Sequence, residues 1–277
     1  MKHSAQERVA LVTGATDGIG KETARALAER GAHVLVHGRT LEKARRVADE
    51  IRAAVGAGDR VEPCAADFSR LAEVRSLGES LAARPKLDLL INNAGVFVHE
   101  RTLTADGFET TFAVNHLAPF LLTLLLVPRL VASEPSRVVN VSSIAHSRGR
   151  LDFDDLDGAQ RFEGYRAYAT SKLANVLFSS ELARRLAGKG VTSNALHPGV
   201  ISTKLLMTGF GSTGASLEKG AATSLMVALD PALATTTGRY FSDEREVSPS
   251  AAARDESLQQ KLWEVSLERT GAPDVTG

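Results

Sequence analysis

The feature that most constrains this chain is a regular exchange of short β-branched runs with longer amphipathic segments. "RVALVTG" (8–14) reads as a strand and "GKETARALAERG" (20–31) as a helix ended by Gly31. "HVLVHG", "VEPCAAD", "LDLLINNAG", "RVVNVSS" and "VTSNALHPG" read as further strands. Helical patterns run over "LEKARRVADEIRAAVG" and "RLAEVRSLGESLAA", and a long helix is expected from about Tyr168 to Ala187. Apolar strands that alternate with helices have to be covered on both faces. The pattern therefore implies an α/β fold, a doubly wound parallel sheet with helices on both sides. No repeat, low-complexity tract or linker divides the 277 residues, so one domain over 1–277 is expected.

Composition removes several functional classes. Lysine plus arginine equals aspartate plus glutamate, 33 each, which gives no net field for nucleic acid or an anionic membrane. The single cysteine, Cys64, excludes an intrachain disulfide, fits a reducing compartment and is expected to be buried in a strand. The start "MKHSAQERVALVTG" enters a strand pattern directly, and the expectation is a cytoplasmic protein with no signal peptide and no membrane anchor. "LAPFLLTLLLVPRL" (117–130) is shorter than the ~20 apolar residues that cross a bilayer. Bracketed by Pro119 and Pro128, it reads as a buried or subunit-facing helix. Two histidines, His146 and His197, fall near the motifs below, but their spacing matches no metal site, so no metal is expected.

The first strand ends in "TGATDGIG", which places Gly14, Gly18 and Gly20 at a strand-to-helix turn. Glycines there let a pyrophosphate approach the amides at a helix N-terminus. NAD sites tend to carry an acid at the end of the second strand, to bond the ribose 2′-hydroxyl. Here "HVLVHGRT" presents Arg39 and no carboxylate. A guanidinium binds a 2′-phosphate through paired charge-assisted bonds, so NADP(H) is the expected cofactor, with NAD(H) as the alternative. Asp17, inside the turn, argues mildly the other way.

"EGYRAYATSK" (163–172) offers two tyrosines and a lysine. Moving a hydride to a carbonyl carbon requires a proton to move on the oxygen, and a free phenol titrates near 10. A neighbouring ammonium favours the phenolate. Residues four apart share a helix face about 6 Å apart along the axis, which pairs Tyr168 with Lys172. Tyr165 is two turns from Lys172, about 10 Å, and is left as a pocket-rim or packing residue. In "NVSS" either Ser142 or Ser143 can face a site at the strand end, but not both.

Four motifs now stand in order: "TGATDGIG", "NNAG" (92–95), "NVSS" (140–143) and "YATSK" (168–172). Together they resemble the short-chain dehydrogenase/reductase superfamily along nearly the whole chain. "YATSKLANVLFSSELARRL", "VTSNALHPGV" and "LWEVSLERTG" resemble its retinol-dehydrogenase-like branch, whose members often carry an N-terminal anchor. The resemblance implies a Rossmann-like fold and a nicotinamide-dependent oxidoreductase interconverting a carbonyl and an alcohol. It implies Tyr168 as general acid/base, Lys172 bonding the nicotinamide ribose, Ser143 holding the substrate oxygen, and Asn115 holding a water behind Lys172. For the cofactor it implies Gly14, Thr16, Asp17, Gly18, Ile19 and Gly20 at the pyrophosphate. It adds Asp67 and Phe68 at the adenine, Asn93, Ala94 and Gly95 along the adenosine ribose, and Pro198, Gly199, Ile201 and Thr203 at the carboxamide. It further implies a homo-oligomer, with helices near 117–127 and after Tyr168 at the interface.

Residues 203–216, "TKLLMTGFGSTGAS", read as a lid with apolar teeth or a plain surface connection. Val96, Phe97, Leu205, Leu206, Met207 and Phe210 point to a partly apolar small-molecule substrate. Residues 144–167 are an insertion relative to the shortest family members, and Asp152, Asp154, Asp155 and Asp157 there either rim the substrate mouth or form a solvated loop. Two other classes share the fold: a cofactor-binding regulator without turnover, which would usually lack the tyrosine or lysine, and a sugar-nucleotide epimerase or dehydratase, which would carry a larger C-terminal domain.

Overall fold

A computed structural model describes residues 5–274; the side chain of Phe210 lies outside the described residues. The strands are β1 (Val9–Val12), β2 (His33–Gly38), β3 (Val61–Ala65), β4 (Leu89–Asn92), β5 (Ser136–Val141), β6 (Val191–His197), β7 (Tyr240–Ser242) and β8 (Arg245–Glu246). They form one sheet in the order β3-β2-β1-β4-β5-β6-β7-β8. All neighbours pair parallel except β7 with β8. The order reverses between β1 and β4, and a sheet that reverses opens a crevice at the carboxyl ends of those two strands.

The helices are α1 (Gly18–Glu29), α2 (Leu41–Val55), α3 (Leu71–Ala82), α4 (Thr110–Phe112), α5 (Ala118–Ala132), α6 (Gly164–Arg185), α7 (Lys204–Phe210), α8 (Leu217–Leu229) and α9 (Glu256–Thr270). One apolar layer joins α1, α2 and α8 to one face of the sheet, through Leu27, Val47, Ile51, Val227 and strand residues such as Val12, Val36 and Ile91. The other joins α3, α5, α6 and α9 to the opposite face, through Leu77, Phe120, Leu124, Phe178 and Trp263. Both faces of the strands are thereby dry, as their unbroken apolar runs require.

Three expectations are corrected. The apolar segment 117–130 is not bracketed by its prolines: a continuous helix runs from Thr110 to Ala132 and passes through Pro128. Pro119, which has no N–H, follows a π-helical turn (Ala113–Leu117) where Ala118 N–H reaches back to Ala113 O, so the ladder is already interrupted there. This helix is long and apolar enough to cross a membrane, but 89% of its apolar window is buried inside the protein, as a core helix requires. The long helix begins at Gly164 rather than near Tyr168, because a glycine lets the chain pass close to Val98 O, where a Cβ would lie 2.4 Å from that oxygen. Finally, the aspartates of 152–157 do not rim the main crevice. Asp155 accepts from the N–H groups of Ala159 and Gln160, and Asp157 pairs with Arg269 at 3.0 Å on α9.

The outer faces of α5 and α6 that the resemblance offers to a second subunit are covered within this chain. The Trp263 ring of α9 packs against Phe120 of α5 and Phe178 of α6, with centroids 5.1 and 6.0 Å apart. The Arg185 guanidinium lies 4.4 Å from the Trp263 ring centre.

Candidate active site

The crevice at the β1/β4 reversal is a cavity of about 860 Å³. Its floor is stitched by Thr13, whose hydroxyl accepts the N–H groups of Asn93 and Ala94, both at 3.0 Å. Asn93 Nδ2 in turn donates to Thr13 O at 2.8 Å. The glycine turn fits so tightly over this junction that a Cβ on Gly20 would lie 2.3 Å from Asn93 Nδ2 and 2.4 Å from Gly14 O. Gly14 has a φ of 63°, and a Cβ there would lie 2.8 Å from the Ala94 Cα. This is a backbone cradle at the N-terminus of a helix, suited to an anionic pyrophosphate. Thr16, Asp17, Gly18, Ile19, Gly20, Asn93, Ala94 and Gly95 all line it.

Asp17 caps α1 by accepting Gly18 N–H at 2.8 Å, and Lys204 of α7 reaches across to it at 2.6 Å. Arg39, Asp67 and Phe68 line the far end of the cavity. Two residues the sequence reading did not single out stand beside them. Lys43, in the first turn of α2 and four positions after Arg39, adds a second cation to the lining. His37 is buried at the end of β2, where its Nδ1 accepts Gly14 N–H at 3.2 Å and its Nε2 faces Ala66 O at 3.1 Å. Burial pushes its imidazole down to about 4, so the ring is neutral and braces the glycine turn, tilted against Phe68. In the sequence it reads only as a strand residue.

At the end of β5 the two serines part company. Ser142 is buried and donates its hydroxyl to Lys172 O at 2.7 Å, tying the strand to α6. Ser143 faces the cavity, and its side chain is hydrogen-bonded to Tyr168. Tyr168, Lys172, Ser143 and Gly95 thus meet at one place. A Cβ on Gly95 would lie 3.4 Å from both Lys172 Nζ and Asn115 Oδ1. Tyr165 also lines the cavity and packs on the apolar group around Tyr168, beside Phe97 and Leu205.

The electrostatics differ from the simple expectation for this pair. Burial pushes the Tyr168 phenol up to about 12, against the lowering pull of its bond with Ser143. Burial also pulls the Lys172 ammonium down to about 8. Lys172 Nζ donates to Val141 O at 3.1 Å and lies 5.6 Å from the Tyr168 ring centre, so its charge does not offset the desolvation of a phenolate. Tyr168 is therefore a protonated phenol at neutral pH.

Asn115 does not line the cavity. It is fully buried in the π-helical turn, accepting Val96 N–H at 2.7 Å and donating to Val96 O and Ser171 Oγ. Its side chain ties the loop after β4 to α6 rather than bonding its own helix. On the opposite wall, Pro198, Gly199, Ile201 and Thr203 line the cavity; Gly199 has a φ of 97° and Thr203 caps α7 through Leu206 N–H. The 203–216 segment is the short helix α7 with a loop behind it. Leu205 and Leu206 point into the cavity with Val96, Ile144 and Val200, whereas Met207 stands 59% exposed outside it. Phe97 packs on Tyr168 with ring centres 5.7 Å apart. Cys64 lies in β3, and burial pushes its thiol up to about 12, leaving it inert. No group of three or more metal-ligating side chains occurs among the described residues.

Known proteins resemble this chain in sequence and in fold. Residues 8–210 match the short chain dehydrogenase family. Mouse retinol dehydrogenase 12 is 46% identical over 274 residues, which cover 95% of this chain and 86% of that protein. The crystal structure of an uncharacterised protein from Mycobacterium paratuberculosis is 35% identical and superposes with a TM-score of 0.83, over 98% of this chain and 96% of that one. The Pseudomonas aeruginosa RhlG/NADP active-site complex is 27% identical, with a TM-score of 0.71 over 92% of this chain and 98% of RhlG. By the span of the match and the order of its motifs, this chain belongs to the short-chain dehydrogenase/reductase superfamily, in the retinol-dehydrogenase-like branch.

Proposed function

We infer that this protein is an NADP(H)-dependent oxidoreductase that interconverts an apolar carbonyl compound and its alcohol, with Tyr168 as the general acid/base. The observation that carries the reading is the hydrogen-bonded Ser143–Tyr168 pair, facing the cavity beside Lys172 and the glycine cradle. When bound, the nicotinamide supplies or takes up the hydride. The protein's part is proton transfer and positioning. Ser143 Oγ fixes the substrate oxygen, and the Tyr168 hydroxyl gives that oxygen its proton as the carbon is reduced. The phenol is protonated at neutral pH, so Tyr168 is in the form that can donate.

Arg39 and Lys43 support NADP(H), since both can reach an anionic group on the adenosine ribose side and no carboxylate stands at the end of β2. Glycines 14, 18 and 20 with the N-terminus of α1 would hold the pyrophosphate, and Thr203 with the Pro198–Gly199 turn the carboxamide. Val96, Ile144, Val200, Leu205 and Leu206 around the reacting end favour a largely apolar substrate. The similarity to a retinol dehydrogenase agrees with that class.

The test is a panel of all-trans-retinal, nonanal, cyclohexanone and glyceraldehyde, followed by NADPH absorbance. Turnover of the apolar members, lost in Tyr168→Phe with NADPH binding retained, is the expected result. Full turnover in Tyr168→Phe would overturn the assignment of the acid. NADPH binding with no turnover of any alcohol or carbonyl would favour the regulator instead.

A further inference from the structure

The backbone carbonyl of Ser143 is held by more groups than a turn requires. The residue is extended, at φ −157° and ψ 159°, and opens the 3₁₀ turn Ile144–Arg148. Its oxygen accepts the His146 N–H at 3.1 Å, His146 Nδ1 at 2.8 Å and the Tyr240 hydroxyl at 3.5 Å. The Tyr240 oxygen also lies 3.3 Å from His146 Nδ1, and the two rings pack with centroids 4.8 Å apart. On its other side, His146 Nε2 accepts Ser250 N–H at 3.1 Å. Ser250 Oγ then accepts Ala253 N–H at 3.3 Å, at a short 3₁₀ turn before α9.

We propose that His146 is a positioning residue: with Tyr240 it clamps the Ser143 carbonyl and fixes the direction of the Ser143 hydroxyl. The inference rests on the reading of Ser143 given above. Its physical basis is the fixed tautomer of a buried imidazole. His146 is 3% exposed and Tyr240 4%, so neither can exchange these bonds for water. A donor at Nδ1 and an acceptor at Nε2 require a neutral ring with its proton on Nδ1, and burial holds the imidazole in its neutral form. Pinning the carbonyl fixes where Ser143 Cα and Cβ stand; χ1 then chooses only among staggered rotamers, and Ser143 Oγ accepts Ala145 N–H at 3.2 Å within the same turn. Here the same carbonyl is pinned by His146 from its own 3₁₀ turn and by Tyr240 from β7, and Ser250 holds His146 from the far side. A loss of alignment at this atom costs turnover without changing the cradle, which lies on β1, β2 and β4.

The two nitrogens can be separated by substitution. His146→Asn keeps a donor near the Nδ1 position and loses the Nε2 contact; His146→Gln does the reverse; His146→Leu loses both. Tyr240→Phe removes one hydroxyl and keeps the ring. Turnover is read with the fastest carbonyl of the panel above, NADPH dissociation by fluorescence, and folding by thermal melt. His146→Leu should lower kcat at least tenfold with NADPH dissociation within twofold of wild type. His146→Asn should recover most of the loss, and Tyr240→Phe should lower kcat severalfold. In a Ser143→Ala background the further loss from His146→Leu should fall below threefold, because there is no hydroxyl left to aim. Equal losses from His146→Leu in both backgrounds, or an unchanged kcat in folded Tyr240→Phe and His146→Gln, would overturn the proposal while leaving the role of Ser143 intact. Full turnover in Ser143→Ala itself would instead remove the reading on which the proposal stands. If His146→Leu does not fold, Tyr240→Phe and His146→Asn carry the same comparison.

Discussion

Lys204 Nζ lies 2.6 Å from Asp17 Oδ2, so the first residue of α7 is clasped to the glycine turn that opens α1. Without that cation, Asp17 would set a bare negative charge at the mouth of a site for an anionic pyrophosphate. Lys204→Met should therefore weaken NADPH binding about fivefold at low salt, about 1 kcal/mol, an amount consistent with an exposed pair. Lys204→Arg should retain affinity, and Asp17→Asn should recover it in the Lys204→Met background. Fluorescence titration at two salt concentrations checks this, with the loss shrinking as salt is raised.

Lys172 carries a pH signature. Its folded pKa of about 8 is below its ordinary value of 10.5, so between those limits the unfolded chain binds more protons than the folded one. Stability from this group accordingly rises as pH climbs from about 8 to 10.5, and below that window the buried charge costs up to about 3 kcal/mol. Lys172→Met, which keeps the stem and drops the charge, should melt above wild type at pH 7, with the gap narrowing by pH 10. Thermal melts across that range measure it, and the variant should be inactive throughout.

The two serines at the end of β5 should fail in different ways. Ser143→Ala should lower kcat by about 10² to 10³ with little change in melting temperature, as expected for the loss of one oriented donor. Ser142→Ala removes a buried bond to Lys172 O and should cost about 1 kcal/mol of stability. Turnover and melts on the same two preparations separate the roles.

Arg39→Ala should raise the NADPH dissociation constant about tenfold or more and leave that for NADH nearly unchanged, since a phosphate–guanidinium bond is worth about 1.5–3 kcal/mol. Adding Lys43→Ala should deepen the loss. An equal effect on both cofactors would place Arg39 outside phosphate recognition.

Much of the architecture was legible because period and punctuation agree here. Apolar strands in step with the helix stop at Gly31 and the glycine turn at 14–20 leave one economical topology. Tyr168 and Lys172 could be paired because helix geometry alone relates residues four apart. The distinction between Ser142 and Ser143 was not available locally, since a strand's facing depends on which helix lies over it, and Ser142 turns out to bond α6. The bonds of His37 and Tyr240 were unreadable for the same reason: their partners sit 23 and 97 positions away, and only the packed sheet brings Tyr240 to the Ser143 turn. The raised phenol of Tyr168 escaped because spacing states how near an ammonium is, not how dry the phenol is.

The seat of Trp263 between Phe120 and Phe178 has a consequence for association. Because α9 is tethered to the same chain, it meets that aromatic face at an effective concentration in the millimolar range or above, far beyond what a second free molecule supplies. Any pairing of two chains through α5 and α6 then has to win a competition against an occupant that never diffuses away. Cutting the chain before Asp255 would turn a settled interior into a sticky exterior.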